Sequence, residues 1–225
     1  MNNQVPKHSF LFLLVSFISM FLIYPFFSEY IISATIFKVF FTLILVSSLY
    51  ILSNYRFTFI LGAFFCFSAL AFEWTSYFYP IFFVRVVGDL FYLFFLVILI
   101  KSICMFIFSK DKVTLDIVYG AACLYFIIGL FFATCYSLIE LYIPGSFLGN
   151  FGNPVIREGF YSIRTMSETL IYFSFVTLTT LGYGDVTPAS TPSQFLAILE
   201  AIVGQLFLAI AIGRSVGMYL SQKNQ

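Results

Sequence analysis

Six apolar runs dominate the sequence, covering residues 9–27, 31–52, 57–72, 77–108, 117–139 and 193–220. A helix needs about 20 apolar residues to cross the hydrocarbon core of a bilayer, so each run is a candidate span. The third is short and borrows Tyr55 and Trp74 as interfacial anchors. Composition excludes a soluble reading: 61% of residues are hydrophobic and 9% charged, whereas a soluble domain carries about 25% charge to face water. The sequence therefore predicts an all-α membrane protein whose surroundings are the lipid bilayer. A formal net charge of +1 offers no basic field for nucleic acid. Cys66, Cys104, Cys123 and Cys135 all fall inside apolar runs and read as buried helix residues, with no disulfide or metal role.

The first run is too long for a signal peptide and lacks a small-x-small cleavage site, so it reads as a retained span. Six spans put both termini on one side, where Lys7, Arg56, Lys110, Lys112 and Lys223 also fall. The short connections on the other side, around Glu29 and around Glu73–Trp74, hold no basic residue. By the positive-inside rule both termini are cytoplasmic. The one long outer segment, 141–192, holds Arg157 and Arg164, but long segments translocate with little regard to charge. The compact, domain-poor design points to the plasma (inner) membrane of a prokaryote.

Within the outer segment, residues 143–164 are rich in Gly, Asn and Pro and read as a loop. Thr165-Met166-Ser167-Glu168 fits a capping box. It opens a helix over 166–178 that is too short to span. Thr179-Thr180-Leu181-Gly182-Tyr183-Gly184-Asp185 follows at once. Thr191, with Pro192 at the first helical position, then caps the last span. Such a segment sits at membrane depth only where protein buries it or it lines water. A dehydrated cation needs oxygens to replace its water shell, and backbone carbonyls supply them if all point one way. Glycine reaches the left-handed dihedrals that this alternation requires.

The Thr-x-Gly-Tyr-Gly pattern behind a half-helix and between two spans resembles the selectivity filter of the tetrameric potassium channels. The resemblance covers roughly residues 116–219. It implies a filter of Thr180, Leu181, Gly182, Tyr183 and Gly184 that binds K+, the transported ion, with no other metal and no cofactor. Leu181 replaces the usual Val, and its side chain points away from the ion. Thr179 and Val176 support the filter. Tyr172 and Phe173 match the aromatic cuff around it, and Asp185 the acid that ties its outer end to that cuff. Val176 sits where a few bacterial members carry a glutamate, so an acid-paired filter of that type is not expected. Gly204 falls where the family's inner helix has its hinge glycine, a position that also suits close packing. Gln205, Leu208 and Ile212 form one helical stripe and match positions that face the water-filled cavity. Gly213 and Gly217 form a GxxxG pair, for crossing of inner helices or for packing on the fifth span. One strand cannot surround an ion, and the sequence has no internal repeat. The implied assembly is therefore a four-fold symmetric homotetramer, with a re-entrant pore helix and filter between the last two of six spans.

The chain divides at residues 1–112 and 113–225, a four-helix unit and a pore unit. Voltage sensors carry 3–4 charges per subunit at every third position, but positions 85, 88, 91, 94 and 97 read Arg85, Gly88, Phe91, Phe94 and Val97. One Arg per subunit supplies at most about 9 kcal/mol per 100 mV over four subunits, too little for steep gating. Arg85 and Asp89 instead predict an intramembrane ion pair at (i, i+4), which Lys38 could join. Lys101 snorkels towards the cytoplasm. The short segments outside the first and last spans leave no regulatory domain to expect. Glu200 lies one turn before Gly204 and faces away from the cavity, so it should be protonated or hydrogen-bonded, to a half-helix hydroxyl such as Thr177 or Thr179. Its protonation would make conduction pH-dependent, or the acid is merely structural. The sequence predicts a potassium-selective channel of weak or no voltage dependence. The alternatives are a weakly selective cation channel and a non-conducting membrane subunit. With His8 near the terminus and no Ser/Lys dyad, paired membrane aspartates or metal cluster, no enzyme is expected.

Overall fold

The computed structural model describes residues 9–23, 26, 33–53, 56–79, 81–109, 114–149 and 160–223. Seven helices run in chain order: α1 (Ser9–Ile23), α2 (Ser33–Leu52), α3 (Arg56–Phe78), α4 (Phe82–Phe108), α5 (Leu115–Tyr142), α6 (Phe160–Leu178) and α7 (Thr191–Lys223). Two short strands, β1 (Phe147–Leu148) and β2 (Thr187–Pro188), pair antiparallel, with Phe147 opposite Pro188 and Leu148 opposite Thr187. Five helices, α2, α3, α4, α5 and α7, are long and apolar enough to cross a membrane, whereas α1 and the apolar part of α6 are shorter.

Many hydroxyl groups inside these apolar helices return their hydrogen to the helix. Ser16 donates to the Phe12 carbonyl at 2.9 Å, Thr42 to Lys38 at 2.7 Å and Thr134 to Leu130 at 2.8 Å, the arrangement that lets a polar side chain stay where water is absent. The helices pack in a chain: α3 on α4, α4 on α5, α5 on α6, and α1 on both α2 and α5. Phe10, Leu13, Phe17, Phe95, Leu99, Ile103, Leu124 and Ile127 form a continuous apolar core between them. Phe17 stacks on Phe126 with centroids 5.0 Å apart, and Phe21 meets Phe175 edge-on at 5.0 Å, so aromatic packing carries α1 up to α6.

Several boundaries differ from those read in the sequence. The fourth span begins at Phe82 and not at Tyr77, because Tyr77 and Phe78 are the last turn of α3. The third span does not end at Phe72: α3 continues through Glu73 and Trp74 to Phe78. Glu73 stops the apolar run but not the helix, because its carboxylate is paired inside the protein. The sixth helix begins at Phe160, so Thr165 lies within it and not at its cap. Ser190, one residue before Thr191, caps α7: its carbonyl takes the Gln194 N–H at 3.0 Å and its hydroxyl the Ser193 N–H at 3.4 Å. The fifth span extends past Ile139 to Tyr142 and so includes Glu140. Lys7, His8, Glu29, Tyr55, Lys110, Lys112 and Arg157, on which part of the topology reading rests, lie outside the described residues.

Candidate functional site

The segment after α6 is built from the helix's own last turn. The Thr180 N–H donates to the Thr177 carbonyl at 2.9 Å, and the Leu181 and Gly182 N–H groups both donate to that of Val176, at 2.9 and 3.4 Å. Carbonyls that a helix end leaves orphaned thus hold the returning chain. The backbone then alternates in hand: φ is +58° at Thr180, +60° at Gly182 and +77° at Gly184, while Leu181 and Tyr183 between them stay negative. Such alternation lets successive carbonyls face one side. A Cβ at Gly182 or Gly184 would meet no atom within 4 Å, so glycine is needed there for its dihedrals and not for space. Thr180 bears a left-handed cost of roughly 1–2 kcal/mol. Its hydroxyl offsets part of it by donating to the Thr179 carbonyl at 2.7 Å while accepting from Gln205 Nε2 at 3.2 Å.

Tyr172 donates its hydroxyl to Asp185 Oδ2 at 2.6 Å, and Asp185 Oδ1 takes the Val186 N–H at 3.1 Å. This bond to the carboxylate is the main cause that pushes the Tyr172 phenol up to about 12. Phe173 turns the other way, into a three-ring cluster with Tyr136 and Phe147 whose centroids lie 5.1 to 5.2 Å apart. The β1–β2 pair stands on Glu140, which sequence reasoning missed. Its fully buried carboxylate accepts the N–H groups of Gly145 and Phe147, both at 2.9 Å. The available signal was an acid at the end of an apolar run, just before a Pro-Gly turn.

On α7, Gln205, Leu208 and Ile212 are exposed within the single chain. Gly204 is buried, and a Cβ there would lie 2.3 Å from the Leu178 carbonyl oxygen. That oxygen also takes the Tyr125 hydroxyl at 3.1 Å. Gly204 is thus a close-packing glycine, and α7 runs unbroken through it. A Cβ at Gly213 or Gly217 would meet no atom within 4 Å, so the Cα faces of this pair are not turned against α5. Arg214 donates to the carbonyls of Ile107 and Phe108, at 3.2 and 3.3 Å, at the end of α4.

Glu200 is fully buried. Its partners are not Thr177 or Thr179 but Ser174, at Oε1, and Tyr136, at Oε2, each 2.5 Å away. The correction follows from register. Gly204 meets Leu178, so one turn earlier on both parallel helices Glu200 meets Ser174. Thr179 instead bonds back to the Phe175 carbonyl at 2.6 Å.

A second polar cluster lies among α2, α3 and α4. Arg85 Nε is 3.2 Å from Asp89 Oδ1, the pair that the sequence predicts. Lys38 does join, but through Glu73: Lys38 Nζ is 2.6 Å from Glu73 Oε1, and Arg85 is 3.5 Å from Glu73 Oε2. Ser137 of α5 donates to Asp89 at 2.6 Å, and Arg85 to Ser167 of α6 at 2.6 Å. Two cations and two anions cancel, and hydroxyls fasten them to α5 and α6. A cavity of about 40 Å³ beside Glu73, Arg85 and Asp89 leaves room for water.

α6 is thus a short helix between the long apolar helices α5 and α7, and it ends in a backbone of alternating hand. Residues 120–221 match the ion channel family. A stretch of 50 residues is 40% identical to two-pore potassium channel 4 of Arabidopsis thaliana, covering 22% of this chain and 18% of that protein. A stretch of 52 residues is 40% identical to protein LctB of Bacillus caldotenax and of Geobacillus stearothermophilus, covering 23% of this chain and 38% of each relative. The matched stretch therefore spans well under half the length of these curated relatives. No solved structure matches. Over residues 120–221, then, the chain is similar to ion channels, and over a shorter stretch to a potassium channel and to protein LctB.

Proposed function

We propose that the protein is a subunit of a potassium-selective channel, a passive conductor and not an enzyme. The observation that carries this reading is the alternation of hand at Thr180, Gly182 and Gly184, which would let the carbonyls of 180–184 replace the hydration shell of K+. The Tyr172–Asp185 bond supports the filter from behind, with Thr179, Val176 and Phe173 on the same helix end. α6 acts as the re-entrant pore helix, and the negative end of its dipole favours a cation. α1 to α5 and α7 are the six spans, divided into a four-helix unit (1–112) and a pore unit (113–225). Both termini are cytoplasmic, in the plasma (inner) membrane.

Four copies in a closed ring complete the pore. The apolar face of α7, with Phe195, Ile198, Ile202 and Leu206 exposed in the single chain, fits burial against neighbouring copies. Gln205, Leu208 and Ile212 would line the cavity. The locked charges of α4 favour weak or absent voltage dependence. Replacing Gly182 or Gly184 with Ala should abolish potassium selectivity while sparing assembly, because each Ala costs roughly 1–2 kcal/mol in every subunit of the ring. Unchanged potassium-over-sodium permeability in both variants would remove the assignment.

A further inference from the structure

Counting hydrogens at Glu200 gives more than its burial does. Ser174 Oγ lies 2.5 Å from Glu200 Oε1 and 2.7 Å from the Gly129 carbonyl oxygen of α5. A serine hydroxyl has one hydrogen and two lone pairs, and a carbonyl can only accept. If Glu200 were ionised, Ser174 would serve one of these oxygens and leave the other facing it with no hydrogen between. If Glu200 carries a proton on Oε1, every contact closes. Glu200 donates to Ser174, Ser174 donates to Gly129, and Tyr136 donates to Oε2, which remains a carbonyl oxygen.

The surroundings agree. Glu200, Ser174 and Tyr136 are each 0% exposed, so no bulk water completes the set. Among the described residues no cation is paired with Glu200; the titratable groups near it are Tyr136, Cys135 and Tyr125, all from α5 and all neutral when protonated.

We infer that Glu200 is a positioning residue protonated at neutral pH, a neutral donor that joins α7 to α6 through Ser174 and to α5 through Gly129 and Tyr136. The junction sits one turn from the contact of Gly204 with Leu178, the last residue of α6 before the proposed filter. Its role is to fix the pore helix, and hence the filter, against the helix that lines the pore. This rests on the channel reading for its function but not for its chemistry.

The test uses the full chain reconstituted in lipid, with two readouts. Infrared difference spectra of wild type against Glu200→Gln should show the carbonyl band of a protonated carboxylic acid at neutral pH, lost in the variant. The Gln carboxamide can donate to Ser174 and accept from Tyr136, so potassium flux should stay within about threefold of wild type, whereas Glu200→Val should lower it about tenfold or more. The absence of that band in wild type overturns the protonation. A Gln variant that fails to fold, or that loses flux as Val does, overturns the neutral-donor role. A wild type that passes no potassium speaks against the channel reading and leaves the spectral result standing.

Discussion

Two buried polar clusters stand behind the proposed pore, and they meet the cost of burial in opposite ways. Among α2, α3 and α4, four charges are gathered so that they cancel, with Lys38 and Arg85 against Glu73 and Asp89. Among α5, α6 and α7, a single acid has hydroxyls for partners and no charge opposite. Pairing gives strong, long-range attraction but leaves each member dependent on all the others. A neutral hydrogen-bonded acid loses little when one contact is softened. The first cluster also reaches α5 and α6 through Ser137 and Ser167, so it ties α2, α3 and α4 to those two helices.

The difference predicts unequal responses to substitution. Arg85→Met leaves the buried Asp89 and partly buried Glu73 carboxylates facing only Lys38, and thermal unfolding of the reconstituted protein should show a loss of about 3–5 kcal/mol. Adding Asp89→Leu to Arg85→Met should recover much of it, since the remaining Lys38–Glu73 pair is neutral. Tyr136→Phe removes one donor from an uncharged set and should cost only about 1 kcal/mol by the same assay. If Arg85→Met proves no worse than Tyr136→Phe, water in the 40 Å³ cavity is screening the charges, and the contrast between the clusters disappears.

What the sequence disclosed follows the range of the interactions. The Thr180–Gly184 segment was legible because its chemistry is set by adjacent residues: glycines at alternate positions and a threonine at the start. Arg85 with Asp89 was legible because a helix places residues four apart on one face. Glu73 was not, because reading hydropathy ends a span at the first charge, and its partners Lys38 and Arg85 lie on other helices. Ser174 was not, because choosing it over Thr177 requires the register of α6 on α7. Glu140 was passed over for a similar reason, since its partners Gly145 and Phe147 are backbone groups of a turn that carries no side-chain signal.

The central claim, that this chain forms a potassium-selective pore, is tested most directly by the reversal potential of the purified protein in a planar bilayer with potassium on one side and sodium on the other. The account predicts a reversal potential that follows the potassium gradient and a current that keeps its selectivity at every voltage. A reversal potential near zero under those bi-ionic conditions, showing sodium to pass as readily as potassium, would contradict it.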